Sequence, residues 1–269
     1  MFFQTGGEIM RNKIQAFWNI RKAKSGLVVA KVSNLLASGF EIDYLAKEFV
    51  RINQEVWGTL TKEEYLWTEK RVKKHFNTCP HIIYCAFSNG KMMATLTNIF
   101  TTEDLLHRNK SWLEKTGDGY LTTHRPEGDV GFGVDLTVTR EAPKKLSDKL
   151  VLAAIFDGVI GQGLKAVYLG ARIPGYRKNM DMKVEDYVFG KRANGKPLDP
   201  ELYFYMKDGF EIVEVIPEYM DDPDSLNYGV LIKWSNPLYR TTKALPFLKP
   251  LIRFIGKLLF LGSPQRREA

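Results

Sequence analysis

Cysteine is scarce in this sequence: Cys79 and Cys85 are the only two in 269 residues. A disulfide-stapled scaffold is therefore excluded, and a reducing compartment is expected. The four histidines (His75, His81, His107, His124) form no HxxxH or HxH pair, and there is no CxxC, so the usual ligand spacing of a metal site is missing. The first eight residues lack the basic stretch followed by an apolar run that marks a secretory signal. No uncharged apolar run approaches the ~20 residues that a bilayer span requires. Internal repeats and low-complexity segments are absent too. These absences point to a cytoplasmic protein, with or without peripheral attachment to a membrane.

What the chain does have is an ordinary globular composition, 44% hydrophobic and 26% charged, which excludes disorder throughout. Its net charge of +8 is unevenly spread. Residues 1–31 hold six Lys/Arg against one Glu and residues 240–269 hold seven against one, leaving the body between them at −3. An acidic body argues against a nucleic-acid-binding core, and no nucleic-acid partner is expected despite a pI near 9.3. The arms, 1–26 and 236–269, flank a body spanning 27–235. In residues 245–261, Lys249, Arg253 and Lys257 recur every fourth position and so share one helical stripe, with Leu251, Ile252, Phe254 and Leu258 elsewhere on the surface. Such a helix either lies in a membrane interface or docks on the protein's own core with its lysines snorkelling. An acidic carrier protein would suit the two basic arms equally well.

Within the body, element types alternate. Residues 26–32 read as a strand, 41–57 as an amphipathic helix, and 61–76 as a helix opened by Thr61 with Glu64 three residues on, a capping box. Segments 81–87 and 91–100 flank Asn89-Gly90, a hairpin signal. Residues 101–128 show little recognisable structure. Then follow a strand (129–139), a buried helix capped by Ser147 or Asp148 (147–163), a strand (165–169), helices near 184–190 and 199–207, and strands at 209–216 and 227–234. This order predicts an α/β (α+β) fold: a mixed, mostly antiparallel central sheet with helices on both faces, plus amphipathic terminal arms.

The segment Phe204-Tyr205-Met206-Lys207-Asp208-Gly209-Phe210 resembles the helix-to-strand signature of the GNAT (Gcn5-related N-acetyltransferase) superfamily, and Val134-Asp135-Leu136-Thr137-Val138 resembles its central strand. Residues 170–176, 217–219 and 228–231 are similar to acyltransferase domains found beside nitrilase-type amidohydrolases. The resemblance implies an N-acyltransferase that moves an acetyl or longer acyl group from acetyl-CoA, another acyl-CoA or an acyl carrier protein to an amine by direct attack, without a metal. It implies that pantetheine pairs with the backbone edge at Leu136, Thr137 and Val138. The pyrophosphate would meet the loop of Lys144, Lys145, Leu146, Ser147 and Asp148. There the family's glycines are replaced by Lys144, Leu146 and Asp148, so the donor is a coenzyme A thioester held differently, a carrier-protein thioester, or lost altogether, leaving an inactive module that binds a membrane or protein partner. Tyr205 aligns with the family's general acid, or else is a helix tyrosine packing on the sheet. Asp135 is either a base for the acceptor ammonium or a strand-end carboxylate paired with Lys or Arg. Arg172 and Tyr176 follow a strand, where Arg172 would bind an acceptor carboxylate or phosphate by two parallel bonds or else be paired internally. Cys79 and Cys85 are expected to pack as small hydrophobes.

Overall fold

Seven strands form one sheet in the computed structural model, which describes residues 27–251 and 254. They are β1 (Leu27–Lys31), β2 (Tyr84–Ser88), β3 (Lys91–Thr101), β4 (Val130–Val138), β5 (Ala166–Ala171), β6 (Glu211–Ile216) and β7 (Gly229–Ser235), and their spatial order is β1-β2-β3-β4-β5-β7-β6. Each neighbouring pair is antiparallel except β4–β5, which is parallel. The helices are α1 (Val32–Ala37), α2 (Ile42–Trp57), α3 (Glu69–Thr78), α4 (Glu103–Arg108), α5 (Trp112–Thr116), α6 (Leu146–Ala154), α7 (Val184–Phe189), α8 (Pro200–Met206) and α9 (Tyr239–Ala244).

Alternation along β2 separates the two faces. Cys85 and Phe87 join the core that includes Leu45, Phe49 and Ile52 of α2, whereas Tyr84 and Ala86 pack with Leu146 and Leu150 of α6. Burial of those three α2 side chains is worth ~1.5–3 kcal/mol each, well beyond the few tenths that separate most residues in helix propensity. Packing against the sheet therefore holds α2 in place. Both cysteines are buried and free, as small hydrophobes would be. The hairpin forms as expected, with Asn89 and Gly90 both at positive φ (49° and 80°) between β2 and β3.

Three sequence expectations are corrected. The helix placed at 61–76 starts only at Glu69, capped by Thr68, whose side chain accepts from the Arg71 N–H. Trp67 is buried and its N–H is taken by Asn53 Oδ1 at 2.8 Å, which holds the preceding residues out of the helix, while the Thr61 hydroxyl donates to the Asp221 carbonyl. The segment 101–128 contains α4 and α5, the second opened by a Ser111/Glu114 capping box. The helix after β4 begins at Leu146 behind Lys145 (φ 69°), so neither Ser147 nor Asp148 is its cap, and it widens after Ala154 into a π-helical stretch, Ile155–Ile160. Beyond β7 the chain stays tied to the body: Asn236 Nδ2 donates to the Leu164 carbonyl, and Thr242 is buried. The arm 1–26 and most of the basic stripe at 245–261 lie outside the described residues. Lys249 Nζ reaches the Gln162 carbonyl at 3.4 Å. Among the described residues, no helix is long and apolar enough to cross a membrane.

Candidate active site

The two central strands part at a point fixed by local chemistry. Pairing of β4 with β5 runs from Val130–Ala166 to Gly133–Leu169 and stops there, while β5 continues to pair with β7 at Gly170 and Ala171. On its other edge β4 bulges: Asn98 faces Gly133 and Thr97 faces Asp135, so Val134 has no partner across the strand. The Val134 carbonyl instead accepts from Trp112 Nε1 at 2.9 Å. A Cβ at Gly133 would displace Leu169 Cδ2 at the last rung. Past the bulge, Leu136 and Val138 pair with Leu96 and Ala94 of β3. Among the described residues no strand lies beside their other edge, as a β-type ligand contact needs.

A cavity of about 130 Å³ opens through this gap and reaches both faces of the sheet. On the α2 face its wall includes Trp57, Trp67, Trp112, Asp135, Tyr205 and Tyr219. The Asp135 carboxylate accepts from the Thr137 hydroxyl at 2.8 and 3.0 Å, and Thr137 Oγ1 in turn accepts from Trp57 Nε1 at 2.7 Å. No lysine or arginine pairs with Asp135 among the described residues, so the paired-carboxylate reading is corrected. Burial pushes its pKa up to about 6, against the pull of neighbouring donors on Thr137, Trp67 and Thr95. Of these only Thr137 completes a hydrogen bond of good geometry; Trp67 Nε1 and Thr95 Oγ1 remain without one.

Tyr205 lies on α8 with its ring edge-on to Phe204 and Phe210, at 5.0 and 5.5 Å. Burial first, then the charges of Glu201 and Asp135, raise its pKa, so the phenol is protonated at neutral pH. Glu201 also lines the cavity; burial lifts it to about 7 despite the Arg172 charge. Sequence reasoning missed Glu201, although its spacing of four residues before Tyr205 puts both on one helical face. Trp57 was missed as well, and Tyr219 was singled out only as part of the resembling segment 217–219, without a role in the site.

Arg172 and Tyr176 do not stand ready for an acceptor. The Arg172 fork is already closed on Asp222, Nε to Oδ2 and Nη2 to Oδ1 both at 2.7 Å, and its guanidinium lies 5.2 Å from the Trp57 ring. Tyr176 is buried and donates its hydroxyl to the Met182 carbonyl at 3.0 Å. Arg172 is part of the cavity wall, and Tyr176 is not among the residues that line it. In the loop before α6, Lys144 and Lys145 are exposed. Leu146 is corrected as a donor contact: its side chain is in the core and its N–H donates to the Pro143 carbonyl at 3.1 Å. Ser147 and Asp148 occupy the first turn, where helix amides lack intrahelical partners. Asp148 is held by Lys207 Nζ at 3.0 Å, which offsets its charge at the helix start. Among the described residues, no group of three or more His, Cys, Asp or Glu could hold a metal ion.

No family model matches the chain. It is 27% identical over 199 residues to "Uncharacterized N-acetyltransferase YkwB" of Bacillus subtilis (strain 168), covering 72% of this chain and 86% of that protein. It is also 27% identical over 175 residues to "Probable hydrolase YhcX" of the same strain, of which the match spans 34%. Two solved structures share the fold. The loading GNATL domain of CurA from Lyngbya majuscula superposes with a TM-score of 0.63 at 16% identity, over 78% of this chain and 97% of that one. The GphF GNAT-like decarboxylase in complex with isobutyryl-CoA gives 0.59 at 18% identity, over 78% and 98%. With its sheet order and splayed central strands the chain shares the GNAT-like fold of these two structures, and it is similar in sequence to a protein named as an N-acetyltransferase.

Proposed function

We propose that this protein is an N-acyltransferase that moves an acyl group from a coenzyme A thioester to an amine. The observation that carries this reading is the placement of Asp135 and Tyr205 on the wall of one cavity, at the opening where β4 leaves β5. The pantetheine arm lies along the free edge at Leu136 and Val138, and the pyrophosphate meets the first turn of α6, with Lys144 and Lys145 supplying charge in place of glycine. Asp135 takes a proton from the acceptor ammonium. The neutral amine adds to the thioester carbonyl, the C–S bond breaks as the amide forms, and Tyr205 gives its proton to the departing thiolate. Glu201 is a second proton acceptor on the same wall.

Decarboxylation, the reaction that the GphF GNAT-like decarboxylase is named for, is the competing reading. Among the described residues, the one cation on the cavity wall is Arg172, and Asp222 already occupies its fork. A carboxylated acyl group would meet Asp135 and Glu201 instead, so amine transfer fits the charges better.

Turnover of Tyr205→Phe tests the assignment. A fall of roughly 10²–10⁴-fold with an unchanged melting curve is the outcome expected of a lost general acid. Equal activity in the variant would remove Tyr205 from the chemistry, and absence of any thermal shift with coenzyme A would favour the inactive-module reading. The basic arms are assigned to an anionic partner, an acidic carrier protein or an anionic membrane surface. Co-sedimentation of the full chain with phosphatidylserine vesicles should fall when residues 1–26 are deleted; no binding by either form would leave the carrier protein.

A further inference from the structure

Among the described residues, three buried side-chain polar atoms lack a hydrogen-bond partner: Trp67 Nε1, Thr95 Oγ1 and Thr97 Oγ1. An unmet buried donor is costly, so each such atom calls for an explanation. All three gather around one carboxylate. In the β3–β4 register Thr97 stands opposite Asp135, and Thr95 stands opposite Thr137. Cross-strand partners have Cβ atoms only ~4.5–5.5 Å apart, and residues two apart on a strand share a face. Thr95, Thr97, Thr137 and Asp135 therefore form a square of side chains on the α2 face of the sheet, where Trp57 Nε1 reaches Thr137. The three threonines are fully buried. Trp67 enters from the segment before α3 and lines the same cavity as Asp135. Its ring meets His75 edge-on at 4.8 Å and Trp112 at 5.5 Å, which fixes the direction of its N–H.

We infer that Thr95 and Trp67 are positioning residues for Asp135: together with Thr137 they form a cradle of uncharged donors that keeps this buried carboxyl ionisable as a proton acceptor. The inference rests on the acyl-transfer reading above and says how the base of that site is regulated. An ionised carboxylate has about four lone-pair sites, and among the described side chains the Thr137 hydroxyl alone fills one with good geometry. Burial drives Asp135 up to about 6, and Thr137, Trp67 and Thr95 keep it from rising further. No cation shares that task. The titratable groups facing Asp135 across the cavity are Tyr205 and Glu201 of α8 and Tyr219 before β7. Arg172, at the end of β5, is closed on Asp222, and His75, behind the Trp67 ring, is neutral because burial lowers it to about 4. Neutral donors favour the ionised carboxylate without setting a fixed positive charge where the acceptor's ammonium must arrive. A lysine or arginine in their place would repel it.

The test reads Asp135 directly and needs no substrate. In the full chain carrying ¹³C-labelled aspartate, the Asp135 carboxyl signal is the one missing from Asp135→Asn. Its pH midpoint is then followed in Thr95→Val, Thr95→Ser and Trp67→Phe. Thr95→Val and Trp67→Phe should each move the midpoint up by roughly one pH unit, a tenfold weaker acid. Thr95→Ser, which retains the hydroxyl, should keep the native value. Melting curves give a second readout that a purely structural role would not move. Thr95→Val should melt no lower than the native protein at pH 4, where Asp135 is neutral and an unmet hydroxyl has been removed. At pH 8 it should melt lower, because the ionised carboxylate has lost a donor. An unchanged midpoint in Thr95→Val and Trp67→Phe would overturn the inference and leave the threonines as packing groups. Equal shifts in Thr95→Val and Thr95→Ser would overturn it too, since shape rather than the hydroxyl would then matter. Should Trp67→Phe not fold, the two Thr95 variants decide. A shifted midpoint in a protein that transfers no acyl group would support the cradle and overturn only the reading that gives it a purpose.

Discussion

Burial pushes both Asp135 and Glu201 up, to about 6 and about 7, because each carboxyl has lost water, and for Glu201 this outweighs the Arg172 charge. For Asp135 the sign of the consequence is fixed. A carboxyl whose folded pKa lies above its ordinary 3.8 contributes stability that is fully present below that value and is lost as pH rises through about 6. Asp135→Asn should therefore melt higher than the native protein at pH 8, by several degrees for a gain on the order of 1–3 kcal/mol, and the advantage should vanish at pH 4. The same substitution should cost about 10²-fold or more in kcat and abolish the acid limb near pH 6. Paired melting curves and pH–rate profiles check both halves. A variant that loses activity without gaining alkaline stability would mean that the carboxylate is better solvated than its surroundings indicate. His75 works in the opposite sense. It is buried with its Nε2 2.7 Å from the Gly119 carbonyl, and burial lowers its pKa to about 4, so its share of stability is present above 6.5 and lost as the pH falls towards 4.

Among the elements, the Arg172–Asp222 pair joins the end of β5 to the loop before β7, and both partners are largely buried. Asp222 also accepts from the Ser225 hydroxyl and the Asp224 N–H, and these contacts help hold its pKa below the usual range. Removing one partner leaves the other charged and dry. Arg172→Ala should thus destabilise the fold by ~3–5 kcal/mol, and the double variant with Asp222→Ala should recover part of the loss. Urea titration of the four-member cycle reads the coupling; purely additive losses would mean that the pair contributes only its separate packing. This pair also shows where sequence reading stops. Arg172 stood out as a cation after a strand, but its partner lies fifty residues later, and nothing local marks Asp222 as the group that closes its fork. By contrast, the strands, α2, the hairpin and α8 were legible because their signals are short-range: periodicity, Asn-Gly, and an Asp before Pro. Misreading the start of α3 has an equally local cause. Thr61 and Glu64 imitate a capping box, and only burial of Trp67, a tertiary effect, overrides it. The cavity, made by two glycines, a bulge and a π-helical stretch on three separate segments, left no trace that a single sequence displays.

At the scale of the whole molecule, charge and chemistry are separated. The basic excess sits in the terminal arms, while the mildly acidic body holds the carboxyl-lined cavity. A cationic acceptor and an anionic partner would therefore be drawn to different parts of one chain. The sheet, too, consists of two antiparallel blocks, β1 to β4 and β5-β7-β6, stitched together by only four paired positions, Val130 to Gly133 against Ala166 to Leu169. Mechanically this is a seam. The seam has the fewest paired positions of any ladder in the sheet, and it stops at Gly133 and Leu169 while β5 goes on to pair with β7. Opening it further would cost few hydrogen bonds and would widen the cavity at the same time. Deuterium uptake should accordingly be faster at the amides of this seam than at the β2–β3 and β5–β7 ladders on either side. A bound thioester, lying between the blocks like a missing strand, should slow it. Uniform protection across all seven strands would show that the two blocks open only together, as a single cooperative unit.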